Sequence, residues 1–147
     1  LQTKMKALVG HMGSWAPRPE QMATAWFLSN PQRVRKTMSD MCSEVSARLD
    51  RLYNGIMTMK SNGLPVDAIA PQGAIYLSFK VDLVGKGFDN NEAIRAHLLH
   101  NAGLAVVPFQ AFDLPDESGW FRMSVGAVGL DDVDRALERL EHLLTRG

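Results

Sequence analysis

Between Ser118 and Gly126 apolar and polar residues alternate. Phe121, Met123 and Val125 fall on one side, and Trp120, Arg122 and Ser124 on the other. A period of two predicts a strand with one covered face. The run Gly73–Val81 repeats the pattern, with Ile75, Leu77, Phe79 and Val81 on one side and Tyr76, Ser78 and Lys80 on the other. Leu104–Pro108 reads as a third, short strand, which its proline either ends early or confines to a sheet edge.

The helical pattern is as plain. Val34, Met38, Met41, Val45, Leu49, Leu52, Ile56 and Met59 recur at steps of three and four, an unbroken apolar stripe. Asn30 and Pro31 suit its N-cap and first position, and Gly63 suits its C-terminal stop. Such a helix is roughly 45 Å long at 1.5 Å per residue, long enough to bridge two bodies. Packing of the stripe on a sheet is favoured over a coiled coil. Leu1–Val9 reads as a helix. Gly10–Pro19, with two glycines and two prolines, reads as a loop leading into a short helix from Glu20 to Leu28. Ser14 is a candidate cap for that helix, and Met22, Ala23, Trp26 and Phe27 its inward residues. Asn90–Asn101 is a helix with Asp89 near its cap, Ile94 and Leu98 inward and Gly103 as its stop. A last helix opens near Asp131 and Asp132 and carries Val133, Leu137, Leu140 and Leu144 on one face.

This order predicts an α+β fold: a small three-stranded, or four-stranded, sheet with helices mainly on one face, preceded by a long interdomain helix. The other sheet face carries Tyr76, Ser78, Trp120, Arg122 and Ser124, and is the side expected to receive a ligand or another domain.

Composition narrows the function classes. The chain has 147 residues, 46% hydrophobic and 22% charged, with Lys+Arg and Asp+Glu both 16. A balanced charge argues against a nucleic-acid or anionic-membrane partner. No apolar run approaches the roughly 20 residues of a membrane span, and no secretory signal layout opens the chain. A single cysteine, Cys42, forbids an intrachain disulfide and points to a reducing, cytoplasmic setting; it is expected to be a small packed residue. His97 and His100 share a helix but have no cysteine or acidic partner nearby, so they read as a polar face and no metal site is expected. Gly85-Lys-Gly87 lacks the rest of a phosphate-binding loop. The chain opens at Leu1 within a helical pattern, without an initiator methionine, and is expected to be a piece of a longer protein.

Arg122 is the candidate binding residue. A guanidinium on the polar side of a strand, beside an indole and a hydroxyl, suits a carboxylate, because its fork donates two parallel hydrogen bonds to one acid group. On the residues alone, a plain surface arginine stands beside that reading.

Four segments together resemble the C-terminal part of class I/II, fold-type I pyridoxal-phosphate aminotransferases, the aspartate aminotransferase superfamily. They are Glu20-Gln-Met-Ala-Thr-Ala25, Pro71-Gln-Gly-Ala-Ile-Tyr-Leu77, Asn101-Ala-Gly-Leu-Ala-Val-Val-Pro108 and Gly119-Trp-Phe-Arg-Met-Ser124. Their order and spacing match over essentially the whole chain. The resemblance implies that Arg122 binds the α-carboxylate of an amino-acid or 2-oxo-acid substrate, that the intact enzyme uses pyridoxal 5'-phosphate, and that it is a homodimer with active sites at the subunit interface. It implies that residues 1–30 are the end of the large-domain region with an interface loop, and that 31–147 are the C-terminal small domain. The sequence departs from the family at Trp15-Ala-Pro, where Ser, Thr and Asn are usual, and at Gln110-Ala-Phe112, where Gly is frequent. Neither Lys4 nor Lys6 stands in the family's Ser-x-x-Lys context, so no catalytic residue is expected in this chain and transamination by it alone is not expected. Cofactor-binding residues are not assigned. Two other readings stay open: a carbon–sulfur lyase of the same fold, and a stand-alone α+β module for dimerisation or amino-acid binding.

Overall fold

The computed structural model describes residues 1–13 and 16–146; the candidate cap Ser14 lies outside them. The helices are α1 (Gln2–His11), α2 (Arg18–Leu28), α3 (Pro31–Ser61), α4 (Asn91–Ala102) and α5 (Leu130–Arg146), and the strands are β1 (Val66–Ala68), β2 (Tyr76–Val81), β3 (Val107–Pro108) and β4 (Trp120–Ser124). A short 3-10 helix, Phe109–Phe112, follows β3. By internal packing the chain divides into two units, Leu1–Met41 and Cys42–Gly147.

In the first unit α1 and α2 bury no residue. The expected inward face of α2 is therefore corrected: Met22 and Trp26 are 62% and 61% exposed and Ala23 is exposed, with Phe27 half-buried. Two helices of 10 and 11 residues, with the opening of α3, are too little chain to enclose a core. Trp26 instead carries the Arg33 guanidinium over its ring at 4.1 Å. The α3 stripe divides the same way. Met38 and Met41 are exposed, whereas Leu49, Leu52, Ile56 and Met59 are buried. Cys42 is exposed rather than packed, since it precedes the part of α3 that joins the core.

The second unit is an α+β layer. Its four antiparallel strands run in the order β1-β2-β4-β3. β1 gives no periodic signal because only Val-Asp-Ala is paired. Leu77, Phe79 and Val81 of β2 and Phe121 and Met123 of β4 share one core with Leu49–Met59 of α3, Ile94 and Leu98 of α4, and Val133 and Leu140 of α5. All three helices thus cover one sheet face. At roughly 25 cal/mol per Å² of apolar surface, each of these large side chains contributes about 1.5–3 kcal/mol on burial.

The helix ends follow their sequence signals. At Gly63, φ +85°, Leu64 N–H donates to the Met59 carbonyl and Gly63 N–H to that of Lys60, the paired bonds of a Schellman stop. The Asn90 side chain, rather than Asp89, caps α4 by accepting from Ala93 N–H at 2.9 Å. The third strand is shorter than its pattern: only Val107 and Pro108 pair with β4, at the sheet edge, while Leu104 and Val106 are buried in the core. A proline without an N–H is tolerated there because the outer side of an edge strand needs no donor. β2 begins one residue after Ile75, which is 37% exposed and packs over Gly126, and Ala74 before it takes φ +59°.

Candidate functional site

The sheet face away from the helices is built by the outward residues of β2 and β4. Register places Tyr76 opposite Ser124, Ser78 opposite Arg122 and Lys80 opposite Trp120, and on the other side of β4 places Val107 opposite Arg122. Arg122 is therefore mid-strand on an internal strand with paired backbone on both sides. That is a rigid mount for a side chain that must hold one orientation.

The Arg122 guanidinium lies against two aromatic rings. Its Cζ is 4.2 Å from the Tyr76 ring centroid and 3.9 Å from that of Phe112. Both distances fall within cation–π range. Phe112 ends the 3-10 helix and makes an edge contact with Phe109 at 6.4 Å, and Phe109 in turn lies 6.2 Å from Trp120. Tyr76 and Phe112 thus contact the cation, and Phe109 and Trp120 extend the aromatic chain from Phe112.

Among the described residues that cation has no acid partner. Arg51, Arg95 and Arg135 each donate to a carboxylate, and Arg48 and Arg139 donate to backbone carbonyls. Lys80, the other cation on this face, is held by Asp82 at 2.8 Å. Among the described residues no carboxylate pairs with Arg122, which is half-buried rather than sealed under hydrocarbon. A half-buried guanidinium has the chemistry to donate two parallel hydrogen bonds to a planar anion.

The loop beside it is fixed by a polar network. Asn91, 1% exposed, donates to the Gln110 side-chain carbonyl at 2.9 Å and accepts from Gly119 N–H at 2.8 Å. Its own N–H donates to Glu117, and the Gln110 amide donates to the Asp116 carbonyl at 2.7 Å. This network holds both ends of the segment that carries Phe112. Sequence reading places Tyr76 on the right face but misses Phe112 and Asn91. The pair Phe109 and Phe112, spaced by three, is the one available hint of an ordered aromatic turn. Nothing local distinguishes Asn91 from a solvent-facing asparagine.

The remaining candidates do not join this site. Lys86, between the loop glycines, pairs with Asp82. His97 packs against Phe88 in a tilted contact at 4.8 Å and is hydrogen-bonded to Asn101, and among the described residues no group of three His, Cys, Asp or Glu is placed to hold a metal. A hollow lined by Leu52, Leu104, Val125 and Val133 does not include Arg122, and its rim arginines are engaged by Asp132 and by the Ala102 carbonyl. Among the described residues no helix is long and apolar enough to cross a membrane.

Comparison with known proteins gives a consistent picture. The family described as Aminotransferase class I and II matches residues 1–140. An aromatic aminotransferase from Pyrococcus horikoshii OT3 is 27% identical, with a TM-score of 0.68 over 86% of this chain and 31% of that one. An aspartate aminotransferase from Rhizobium meliloti is 27% identical, with a TM-score of 0.67 over 86% of this chain and 30% of that one. An alanine aminotransferase from Pyrococcus furiosus, 21% identical with a TM-score of 0.61 over 79% of this chain and 26% of that one, shares the fold. The chain spans less than a third of the length of each of these structures. No curated protein matches it.

Proposed function

The chain belongs to the class I and II aminotransferase family, and from that premise we propose that it is the C-terminal part of a longer pyridoxal-phosphate-dependent amino-acid aminotransferase, in which Arg122 receives the substrate's α-carboxylate. The observation that carries this is the Arg122 guanidinium itself: mid-strand, half-buried, flanked by Tyr76 and Phe112, and without an acid partner among the described residues. In this reading residues 31–147 are the small domain, which closes over the amino or 2-oxo acid and excludes water, and residues 1–30 belong to the large-domain region and the interface of a cytoplasmic homodimer.

The lysines of this chain do not fit the role of holding the cofactor. Lys36, Lys60, Lys80 and Lys86 are each paired with an aspartate, and Lys4 and Lys6 lie exposed on α1, which buries nothing. The cofactor's chemistry is therefore assigned to the rest of the longer protein, and the role of this chain is to bind and orient. Gripping the carboxylate fixes one end of the substrate, so that its amino-bearing carbon is presented in one orientation.

The test is Arg122→Lys in the full-length enzyme. A point charge cannot replace the fork, and loss of one charge-assisted bond, about 2 kcal/mol, corresponds to a roughly 30-fold fall in kcat/KM. A change of less than twofold would remove Arg122 from the substrate site.

A further inference from the structure

We propose that Tyr76 and Phe112 are positioning residues that fix the plane of the Arg122 guanidinium, so that the receptor selects planar carboxylates over tetrahedral acid groups. The inference rests on the carboxylate reading of Arg122 and adds to it what sets the fork's orientation.

All five guanidinium N–H bonds lie in one plane and point outward from its edge. The two faces carry no donors. Two rings lie against this group, with centroids 4.2 Å and 3.9 Å from Cζ, and we assign them to its faces. An anion can then approach only at the edge. A carboxylate, itself planar, lies in the guanidinium plane and accepts two parallel bonds. A phosphonate or sulfonate must place its third oxygen out of that plane, toward one of the rings. There it meets the negative face of an aromatic quadrupole instead of a donor. The rings also keep water from the faces, which strengthens the edge bonds by lowering the local dielectric.

The two rings have different supports. Tyr76 projects from β2, where its backbone pairs with Ser124. Phe112 projects from the 3-10 helix, whose Gln110 is tied to buried Asn91 and to the Asp116 carbonyl, and whose C-cap Asp113 turns the chain with φ +59°. One wall is thus part of the sheet, and the other is held in place by the loop network.

The experiment uses the full-length enzyme with Phe112→Leu, Phe112→Tyr and Tyr76→Leu. The readouts are the split between KM and kcat, and competitive inhibition by a matched pair of substrate analogues, one a carboxylate and one a phosphonate. Phe112→Leu is expected to raise KM about tenfold, more than it lowers kcat, and to narrow the preference for the carboxylate inhibitor by a similar factor. Phe112→Tyr is expected to restore both, and Tyr76→Leu to act in the same direction as Phe112→Leu. Equal weakening of both inhibitors, or KM and selectivity within twofold of the parent, overturns the proposal. Both rings are 39% exposed, so their truncation leaves the core intact. The Arg122→Lys variant separates the two levels. If it is neutral, the carboxylate reading falls; if it is costly while Phe112→Leu and Tyr76→Leu are silent, only the aromatic walls lose their role.

Discussion

The side-chain carbonyl of Asn91 accepts the backbone N–H of Gly119 at 2.8 Å, joining the start of α4 to the residue just before the Arg122 strand. Asn91 is a buried polar residue inside an otherwise apolar core. Its removal leaves the Gly119 N–H and the Gln110 carbonyl without their partner. Asn91→Leu is expected to destabilise the second unit by about 2–4 kcal/mol, since each unsatisfied buried group costs roughly 1–3 kcal/mol. Urea denaturation measures this. A loss below about 0.5 kcal/mol would mean that the network is not holding the loop.

Gly119 is constrained twice. Its φ is +76°, and an added Cβ would be driven into the carbonyl oxygen of Val81, a backbone atom that cannot swing aside. That strand also receives the Val81 N–H at the Gly119 carbonyl, 2.9 Å away, so the two chains cannot separate without losing a bond. Gly119→Ala is expected to cost more than about 2 kcal/mol. A thermal melt within one degree of the parent would contradict the close approach.

Asp82 carries a pH dependence. Hydrogen bonds from Lys80 and then Lys86 hold its carboxyl down at about 2, below its ordinary 3.8. A carboxylate with a depressed folded-state pKa contributes stability above its unfolded value and loses it as pH falls through the folded value. The stability difference between parent and Asp82→Asn should therefore be constant above about pH 5 and shrink between about pH 4 and 2. The side chain is 46% exposed, so screening by water keeps the effect under about 1 kcal/mol. A difference that grows on acidification would reverse the sign and refute the pairing.

Incubation of this 147-residue chain with pyridoxal phosphate, followed by borohydride, is expected to give no stoichiometric label at a single lysine. Peptide mapping checks it. Specific reduction onto Lys4 or Lys6 would give the chain a catalytic amine of its own and change the division of labour proposed above.

Much of the architecture was legible because the period of a hydrophobic pattern is set by local geometry. Alternation at Phe121, Met123 and Val125 has one strand solution with a dry side, and the structure buries all three. The steps of three and four through Leu49, Leu52, Ile56 and Met59 likewise have one helical solution. Burial of the remainder was less legible. Met38, Met41 and Trp26 continue the apolar patterns yet are exposed, because a stripe says which side of a helix is apolar but not what covers it. β1 was invisible since three residues carry no period.

The sequence by itself determined the five helices and the two long strands, the face on which Arg122 stands and the family to which the chain is similar, since these depend on near neighbours along the chain and on motif order. Only the tertiary structure decided that Phe112, ten residues before Arg122, and Tyr76, on another strand, meet at its guanidinium, and that Asn91 is the buried tie behind them. Those pairings come from strand register and loop closure between distant segments, and no local period encodes which distant side chain will arrive.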